Sequence, residues 1–262
     1  MDNVFESGPI LYKTTLDGDR DEVQRIAIQR ALTQTDECLK AYCALEQSHG
    51  GAYINADLMK EIFPEYRKSP ETRSRYDLSV HNSCAWLAQE LYNRQIQSDK
   101  VKGCIFVTGI PGAGKSFLVQ SLFASGEIPE DHIVFEGSLC NVNASKAKMQ
   151  QLVDMGKKIQ VVVINPDLRL AFENVMSRQQ EVGRGATLVS MAKIASGLKP
   201  ALEVLDSLFS IEGIGVYTKR NNNDNVDISL GIEAVRQLLT CDYETVLSFL
   251  KGLDAEMRGM VR

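Results

Sequence analysis

A glycine-rich stretch at residues 109–116 constrains this chain most, because the segments on either side fix how it folds. An apolar segment at 104–108 is typical of a buried strand, and a segment of helical pattern follows at 117–123. The stretch itself reads glycine, four residues, glycine, lysine and serine, which matches the phosphate-binding loop pattern at every fixed position. Backbone N–H groups of such a loop and the helix N-terminus together attract phosphate oxygens. The pattern therefore predicts a nucleoside-triphosphate site.

The side chains of this loop indicate how ATP and Mg²⁺ would be bound. Lys115 would reach the β- and γ-phosphates, and the Ser116 hydroxyl would bind Mg²⁺. A strand-to-helix turn without a ligand is the alternative, but such a turn requires neither lysine nor serine. The residues predicted to bind ATP are Gly109, Ile110, Pro111, Gly112, Ala113, Gly114, Lys115, Ser116 and Phe117.

Composition narrows the class of protein. The chain has 262 residues, of which 44% are hydrophobic, so it can bury a sizeable core. Its net charge of −5 and its lack of a basic run make nucleic acid an unlikely partner.

None of the six cysteines forms a Cys-x-x-Cys pair, which is typical of reduced thiols. The acidic N-terminus lacks a signal-peptide core, and the longest aliphatic run, 161–164, is too short to span a membrane. We expect a cytoplasmic protein without a membrane partner.

Strand and helix patterns alternate along the chain, which predicts an α/β fold. We expect a parallel sheet of about five strands with helices on both faces, as in P-loop NTPases. The predicted domains are an N-terminal helical segment, 1–48, and a kinase-like domain, 49–262. A helix or a bent pair of helices is expected within 21–47, either as part of the kinase or as a built-in blocker. The predicted strands are 52–55, 104–108, 132–135, 159–164 and 213–217, and the later helices are 78–96, 117–123, 145–155, 188–209 and 232–257, with a polar turn at 221–225.

Polar residues at the ends of the strands are candidates for chemistry, because ligands of parallel sheets bind beyond the carboxyl ends of the strands. Asp57 follows the first strand and could accept a proton from an attacking hydroxyl; the alternative is that it caps the next helix. Glu136 and Ser138 follow a later strand and could bind sugar hydroxyls, unless they form a plain turn. His81 and Ser83, at a helix start after Asp57, could also reach a substrate.

Two arginines and one further aspartate lie beyond the fourth strand. Arg178 and Arg184 could bind phosphate oxygens from a flexible lid over ATP, or could be solvated surface residues. Asp167 resembles a Walker B aspartate, but its place after Pro166 favours helix capping.

Taken together, these residues resemble the zeta toxin family of P-loop kinases over roughly residues 50–250. The segment Tyr53-Ile54-Asn55-Ala56-Asp57-Leu58-Met59-Lys60-Glu61-Ile62-Phe63-Pro64 is similar to the family segment that bears the catalytic aspartate, with Phe63 where the family has histidine. Glu136-Gly137-Ser138 resembles the Glu-Gly-Thr substrate motif, and Arg178 and Arg184 resemble two arginines that contact ATP phosphates. The resemblance implies phosphorylation of the 3′-hydroxyl of UDP-N-acetylglucosamine, with Asp57 as base, and an antitoxin as a possible partner.

The order of the motifs departs from that family. Here the aspartate segment precedes the phosphate-binding loop, whereas family members begin with the loop. We therefore expect a permuted strand order. Two other functions stay open on the residues alone: a kinase of another acceptor, such as NAD or a polynucleotide end, and a nucleotide-binding module without catalysis.

Overall fold

The chain folds into two compact units. The computed structural model describes residues 8–209, 211–219, 227–238 and 241–260. The first unit comprises Met1–Asp99 together with Arg178–Gly185, and the second comprises Lys100–Ser177 together with Ala186–Arg262. The predicted domains, 1–48 and 49–262, are a different division and stay a prediction.

The first unit is mainly helical. A pair of helices, α1 and α2, occupies the region in which one helix or a bent pair was expected. Helix α1 packs along α5, and Arg75 of α5 donates two hydrogen bonds to Asp19 of α1, at 2.6 and 2.7 Å. The elements of this unit are α1 (Gly18–Thr33), α2 (Thr35–Cys43), β1 (Tyr53–Asn55), α3 (Ala56–Met59), α4 (Pro64–Arg67) and α5 (Pro70–Ile96).

Helix α5 begins at Pro70, eight residues before its predicted start at residue 78. Ser69 is the N-cap: its hydroxyl accepts from the Thr72 N–H, and the Thr72 hydroxyl accepts from the Ser69 N–H at 2.8 Å. Pro70 occupies the first turn, where its fixed φ and missing N–H are tolerated. Reciprocal capping therefore moves the helix start well upstream of the apolar pattern.

A buried tyrosine of α2 holds β1 in place. Tyr42 is fully buried, and its hydroxyl donates to the Tyr53 carbonyl at 2.7 Å and accepts from the Asn55 N–H at 3.0 Å. Both partners belong to β1, so one side chain satisfies two backbone groups of the strand that leads to Asp57. The helical pair at the N-terminus is thus part of the framework of the first unit.

The second unit contains five strands of the sheet, in the order β3-β2-β4-β5-β6. Strand β2 pairs in parallel with both β3 and β4, and β4 pairs in parallel with β5. The elements are β2 (Gly103–Gly109), α6 (Lys115–Ala124), β3 (His132–Glu136), α7 (Val142–Asp154), β4 (Lys158–Pro166), α8 (Leu168–Val182), α9 (Leu188–Phe209), β5 (Gly213–Lys219), β6 (Asp227–Leu230), α10 (Ile232–Arg236) and α11 (Tyr243–Met260). Helix α8 continues into the first unit from Arg178 onward.

The predicted α/β class is confirmed: the sheet is mostly parallel, with helices on both sides. Strand β6 was not predicted; it is a four-residue edge strand, antiparallel to β5. The predicted single helix over 232–257 is instead two helices, α10 and α11. The predicted turn at 221–225 lies outside the described residues.

All six cysteines are free thiols. No helix in the described part of the chain has the length and apolarity that a membrane crossing needs.

Candidate functional site

The phosphate-binding loop, residues 109–116, joins β2 to α6 and is shaped by its glycines. Gly112 and Gly114 have φ of +80° and +88°, in the left-handed region that glycine adopts without strain. A Cβ on Gly112 would lie 2.1 Å from the carbonyl oxygen of Ala171 in α8, which is a backbone atom and cannot move aside easily. Asn174 of α8 donates its side-chain N–H to the Gly112 carbonyl at 2.9 Å. The loop is therefore braced against α8, a contact that the sequence pattern did not reveal.

Lys115, Ser116 and Glu136 form the polar centre of this loop. The Lys115 ammonium donates to the carbonyls of Gly109 and Ile110, at 3.1 Å each, and lies 3.8 Å from a Glu136 carboxylate oxygen. The Ser116 hydroxyl donates to the other Glu136 oxygen at 3.4 Å. Glu136 is the last residue of β3, the neighbour of β2. Because parallel strands end at one edge of the sheet, its carboxylate comes to the first turn of α6.

This arrangement suits a nucleoside triphosphate with Mg²⁺. A hydroxyl and a carboxylate are the hard oxygen donors that Mg²⁺ prefers, and the ion usually takes only one or two of its ligands from protein. The described residues contain no group of three or more His, Cys, Asp or Glu side chains suited to a metal. Lys115 supplies the positive charge for phosphate oxygens. Phe117, the last of the predicted ATP-binding residues, has a side chain that is 80% exposed.

The segment after Glu136 has an unusual backbone. Leu139 has φ of +53°, a conformation that is uncommon for a non-glycine residue and is unfavourable by about 1–2 kcal/mol. Its side chain is buried, and Thr108 of β2 donates its hydroxyl to the Ser138 carbonyl at 2.9 Å. Packing and this hydrogen bond thus hold the backbone around Ser138 in one shape. Such over-determined outliers cluster at functional sites.

Asp57, in the first unit, does not cap the helix that follows it. That role belongs to Asn55, whose side-chain oxygen accepts from the N–H groups of Asp57 and Leu58, at 2.7 and 3.0 Å. The Asn55 amide in turn donates to the Tyr53 hydroxyl at 2.7 Å. The capping alternative for Asp57 is therefore wrong, and its carboxylate is available for another role.

The carboxylate of Asp57 faces Lys60, a residue that the sequence did not single out. The Lys60 ammonium lies 2.8 Å from Asp57 and 2.6 Å from Asp77 of α5, and its side chain is only 4% exposed. We call these three residues the aspartate cluster. Desolvation by the surrounding protein alone would raise the pKa of Asp57, but the charge and hydrogen bond of Lys60 outweigh it. Arg184 and His81 add to the effect of Lys60, so the pKa of Asp57 lies well below its usual range. Asp57 is thus ionised at neutral pH.

The two other substrate-binding candidates of this region differ in exposure. His81 is half-buried, and its pKa is lowered, first by burial and then by the Lys60 charge, so it is neutral at pH 7. Ser83 is completely buried, and its hydroxyl has no hydrogen-bond partner among the described residues. Because a fully buried hydroxyl cannot meet a substrate, Ser83 takes no part in the proposed site.

Arg178 and Arg184 both belong to the first unit, at the end of α8 and just beyond it. Arg184 is half-buried and near enough to Asp57 to lower its pKa, whereas Arg178 is exposed. Gly183 has φ of +73°, and a Cβ there would lie 1.8 Å from the Pro70 carbonyl oxygen. The backbone at Gly183 therefore packs directly against the start of α5, and the flexible lid stays a prediction.

Asp167 behaves as a helix cap, as the sequence favoured. Its carboxylate accepts from the N–H groups of Arg169 and Leu170 at the start of α8, at 2.9 and 3.3 Å. The Walker B alternative for Asp167 has no support from these contacts. The acid that does contact the hydroxyl of the phosphate-binding loop is Glu136.

Comparisons with known proteins give matches among solved structures alone. No protein-family model matches the chain, and no curated protein matches it. One matching structure is from the PezAT chromosomal toxin–antitoxin system of Streptococcus pneumoniae, with 13% identity over 64% of this chain and 95% of that chain and a TM-score of 0.42. Another is the native AvrRxo1-ORF1:-ORF2 complex, with 11% identity over 67% of this chain and 76% of that chain and a TM-score of 0.41. The residue roles proposed below rest on the contacts described above.

Proposed function

We propose that this protein is an ATP-dependent kinase that phosphorylates a hydroxyl of a nucleotide-activated sugar and acts as a zeta-type toxin. The acceptor we propose is the 3′-hydroxyl of UDP-N-acetylglucosamine. The observation that carries the proposal is the phosphate-binding loop, in which Lys115, Ser116 and Glu136 meet at the N-terminus of α6. The sugar-nucleotide acceptor is supported by the resemblance of the Asp57 and Glu136 segments to those of zeta toxins.

In the proposed reaction, the acceptor oxygen bonds to the γ-phosphorus of ATP while the bond to the β–γ bridging oxygen breaks, and ADP leaves. The acceptor proton passes to the Asp57 carboxylate. Phosphoryl transfer depends mainly on positioning and charge stabilisation, so a carboxylate of low pKa can still serve by orienting the hydroxyl. A bound Mg²⁺ would neutralise charge on the β- and γ-phosphates.

The remaining residues have supporting roles in this proposal. Lys115 binds phosphate oxygens, Ser116 binds Mg²⁺, and Glu136 holds the Ser116 hydroxyl. Ser138 and His81 contact the sugar nucleotide. Arg178 and Arg184 stabilise charge on the transferred phosphoryl group, because a guanidinium matches the geometry of phosphate oxygens. Cytoplasmic action and an antitoxin partner belong to the same proposal.

Incubation of the full chain with ATP, Mg²⁺ and a panel of acceptors tests the proposal. The panel contains UDP-N-acetylglucosamine, NAD and a 5′-hydroxyl oligonucleotide, and mass spectrometry detects an added phosphate. We expect phosphate on UDP-N-acetylglucosamine alone. Phosphate on NAD or on the oligonucleotide would replace the acceptor, whereas ATP binding without transfer to any acceptor would indicate a nucleotide-binding module.

Two variants separate the roles within the reaction. Asp57→Ala should abolish transfer while the Kd for ATP stays within a few-fold, because Asp57 is proposed to act on the acceptor. Lys115→Ala should weaken ATP binding and transfer together. Near-normal turnover of Asp57→Ala would remove Asp57 as the base, and unchanged activity of Lys115→Ala would remove the loop from the mechanism.

A further inference from the structure

Lys60 is an unusual residue in this fold. It is 3% exposed, and no other lysine or arginine among the described residues is buried. Removing an ammonium from water is unfavourable, and a buried ion pair often stabilises a protein no better than apolar side chains of the same size. Stability alone therefore gives little reason for a lysine at this position.

Lys60 contacts two carboxylates that are both exposed to solvent. Asp57 lies one helical turn before it and is 55% exposed, and Asp77 lies on α5 and is 37% exposed. The Lys60 ammonium is thus a buried anchor beneath two surface carboxylates. Because Asn55 caps the helix, Lys60 is the residue that fixes the direction of the Asp57 side chain.

We propose that Lys60 is a positioning residue for the proposed reaction: it holds the Asp57 carboxylate in one orientation and in its charged form, and Asp77 in turn holds Lys60. This inference rests on the proposed role of Asp57 as base. Asp57 touches the acceptor hydroxyl in that role, whereas Lys60 acts through Asp57.

Other charged groups near the aspartate cluster affect the pKa values of its members. Three groups outside the cluster act on it electrostatically: His81 of α5, Arg184 from the segment after α8, and Lys13 from the chain before α1. Burial lowers the pKa of Lys60, but Asp57 and Asp77 outweigh this effect and raise it, so Lys60 is charged throughout the accessible pH range. Near it, burial raises the pKa of Tyr66 to about 12, so this tyrosine is neutral.

The test compares Lys60→Met with Lys60→Arg and with the matched control Lys68→Met. Methionine keeps the length of the lysine side chain without its charge, arginine keeps the charge, and Lys68 is an exposed lysine of the same unit. For each variant we would measure kcat and KM with ATP and the acceptor, and the pKa of Asp57 by ¹³C NMR of its carboxyl carbon.

We expect Lys60→Met to lower kcat about 10- to 100-fold, which is less than the roughly 10²–10⁴-fold that a positioned base contributes, because Asp57 itself remains. The KM for ATP should stay unchanged within about twofold. The Asp57 pKa should rise by at least one unit. Lys60→Arg should recover most of the kcat, and Lys68→Met should resemble the wild type. A Lys60→Met variant with wild-type kcat and an unshifted Asp57 pKa would overturn the proposal.

A second variant keeps the test decisive if Lys60→Met does not fold. Asp77→Asn removes the charge of the second carboxylate partner of Lys60, so Lys60 should pair with Asp57 alone and the Asp57 pKa should fall further. An unchanged Asp57 pKa in this variant would overturn the proposed chain of contacts. The NMR titration needs no turnover. If the wild type transfers no phosphate, the proposed function fails, and the titration still decides whether Lys60 controls the charge of Asp57.

Discussion

Replacement of Tyr42 by phenylalanine removes a single oxygen atom from the interior of the first unit. That hydroxyl is the partner of two backbone groups of β1, the Tyr53 carbonyl and the Asn55 N–H. The side chain is fully buried, so water cannot replace the lost hydrogen bonds without entering the core. The ring itself remains, and no large cavity forms.

The size of the effect follows from these two contacts. A buried donor or acceptor that loses its partner is unfavourable by about 1–3 kcal/mol. With two groups affected and some relaxation of β1, we expect Tyr42→Phe to lower the free energy of unfolding of the first unit by roughly 2–4 kcal/mol. Because Asn55 also caps the helix that carries Asp57, the same variant should lower kcat more than it raises KM for ATP.

Urea unfolding followed by tryptophan fluorescence measures this effect cleanly. The chain has one tryptophan, Trp86, and it lies on α5 of the same unit. Tyr76→Phe is the matched control: its hydroxyl bonds to Asp19 at 2.8 Å from a half-buried position, where water can substitute, so its effect should stay below about 1 kcal/mol. A Tyr42→Phe effect no larger than that of the control would refute the role of this hydroxyl in holding β1.

Three further variants test other parts of the structure. Gly112→Ala should abolish ATP binding, measured by calorimetry, because the new methyl group would meet the Ala171 carbonyl oxygen at 2.1 Å and displace the loop; retained affinity would contradict the bracing by α8. Gly183→Ala should lower kcat and stability together, since its methyl group would meet the Pro70 carbonyl oxygen at 1.8 Å; a variant with wild-type unfolding would show that this packing is dispensable. His81→Asn should flatten the pH dependence of stability. Because the pKa of His81 is lowered in the folded protein, the unfolded chain binds the proton first, and the wild type loses stability as pH falls below about 6.5. Equal slopes of unfolding free energy against pH for both proteins, between pH 7.5 and 5, would exclude this effect.

The sequence predicted those parts of the fold that depend on local pattern. Helix α9 has the predicted bounds, Leu188–Phe209, and β2 and α6 flank the glycine loop as its pattern requires. Local pattern was misleading where several capping residues compete. Asn55 and Asp57 are both good caps, and the choice between them is made by tertiary contacts, the Tyr53 hydroxyl for one and the Lys60 ammonium for the other.

The least predictable parts of the candidate site are contacts between distant residues. Lys60 meets Asp77 across 17 positions, and Asn174 meets Gly112 across 62, and no spacing rule links either pair. Glu136 was found because it ends a strand, but its contact with Ser116 depends on which strand neighbours β2. Strand β6 has only four residues, all exposed, and its sequence Asp-Ile-Ser-Leu lacks the continuous apolar run by which strands such as β4 were recognised.

The first unit draws its last segment, Arg178–Gly185, from beyond the phosphate-binding loop in the chain. During synthesis from the N-terminus, Asp57, Lys60 and Asp77 therefore emerge long before Arg184, which completes the positive charge around Asp57. The turn that places Arg184 also requires Gly183 to pack against the Pro70 carbonyl oxygen. Gly183 is synthesised long after Pro70, so this contact also forms late. A chain still on the ribosome, with Arg184 not yet added, would carry the aspartate cluster without its arginine. The electrostatic environment of the proposed base therefore matures late in synthesis.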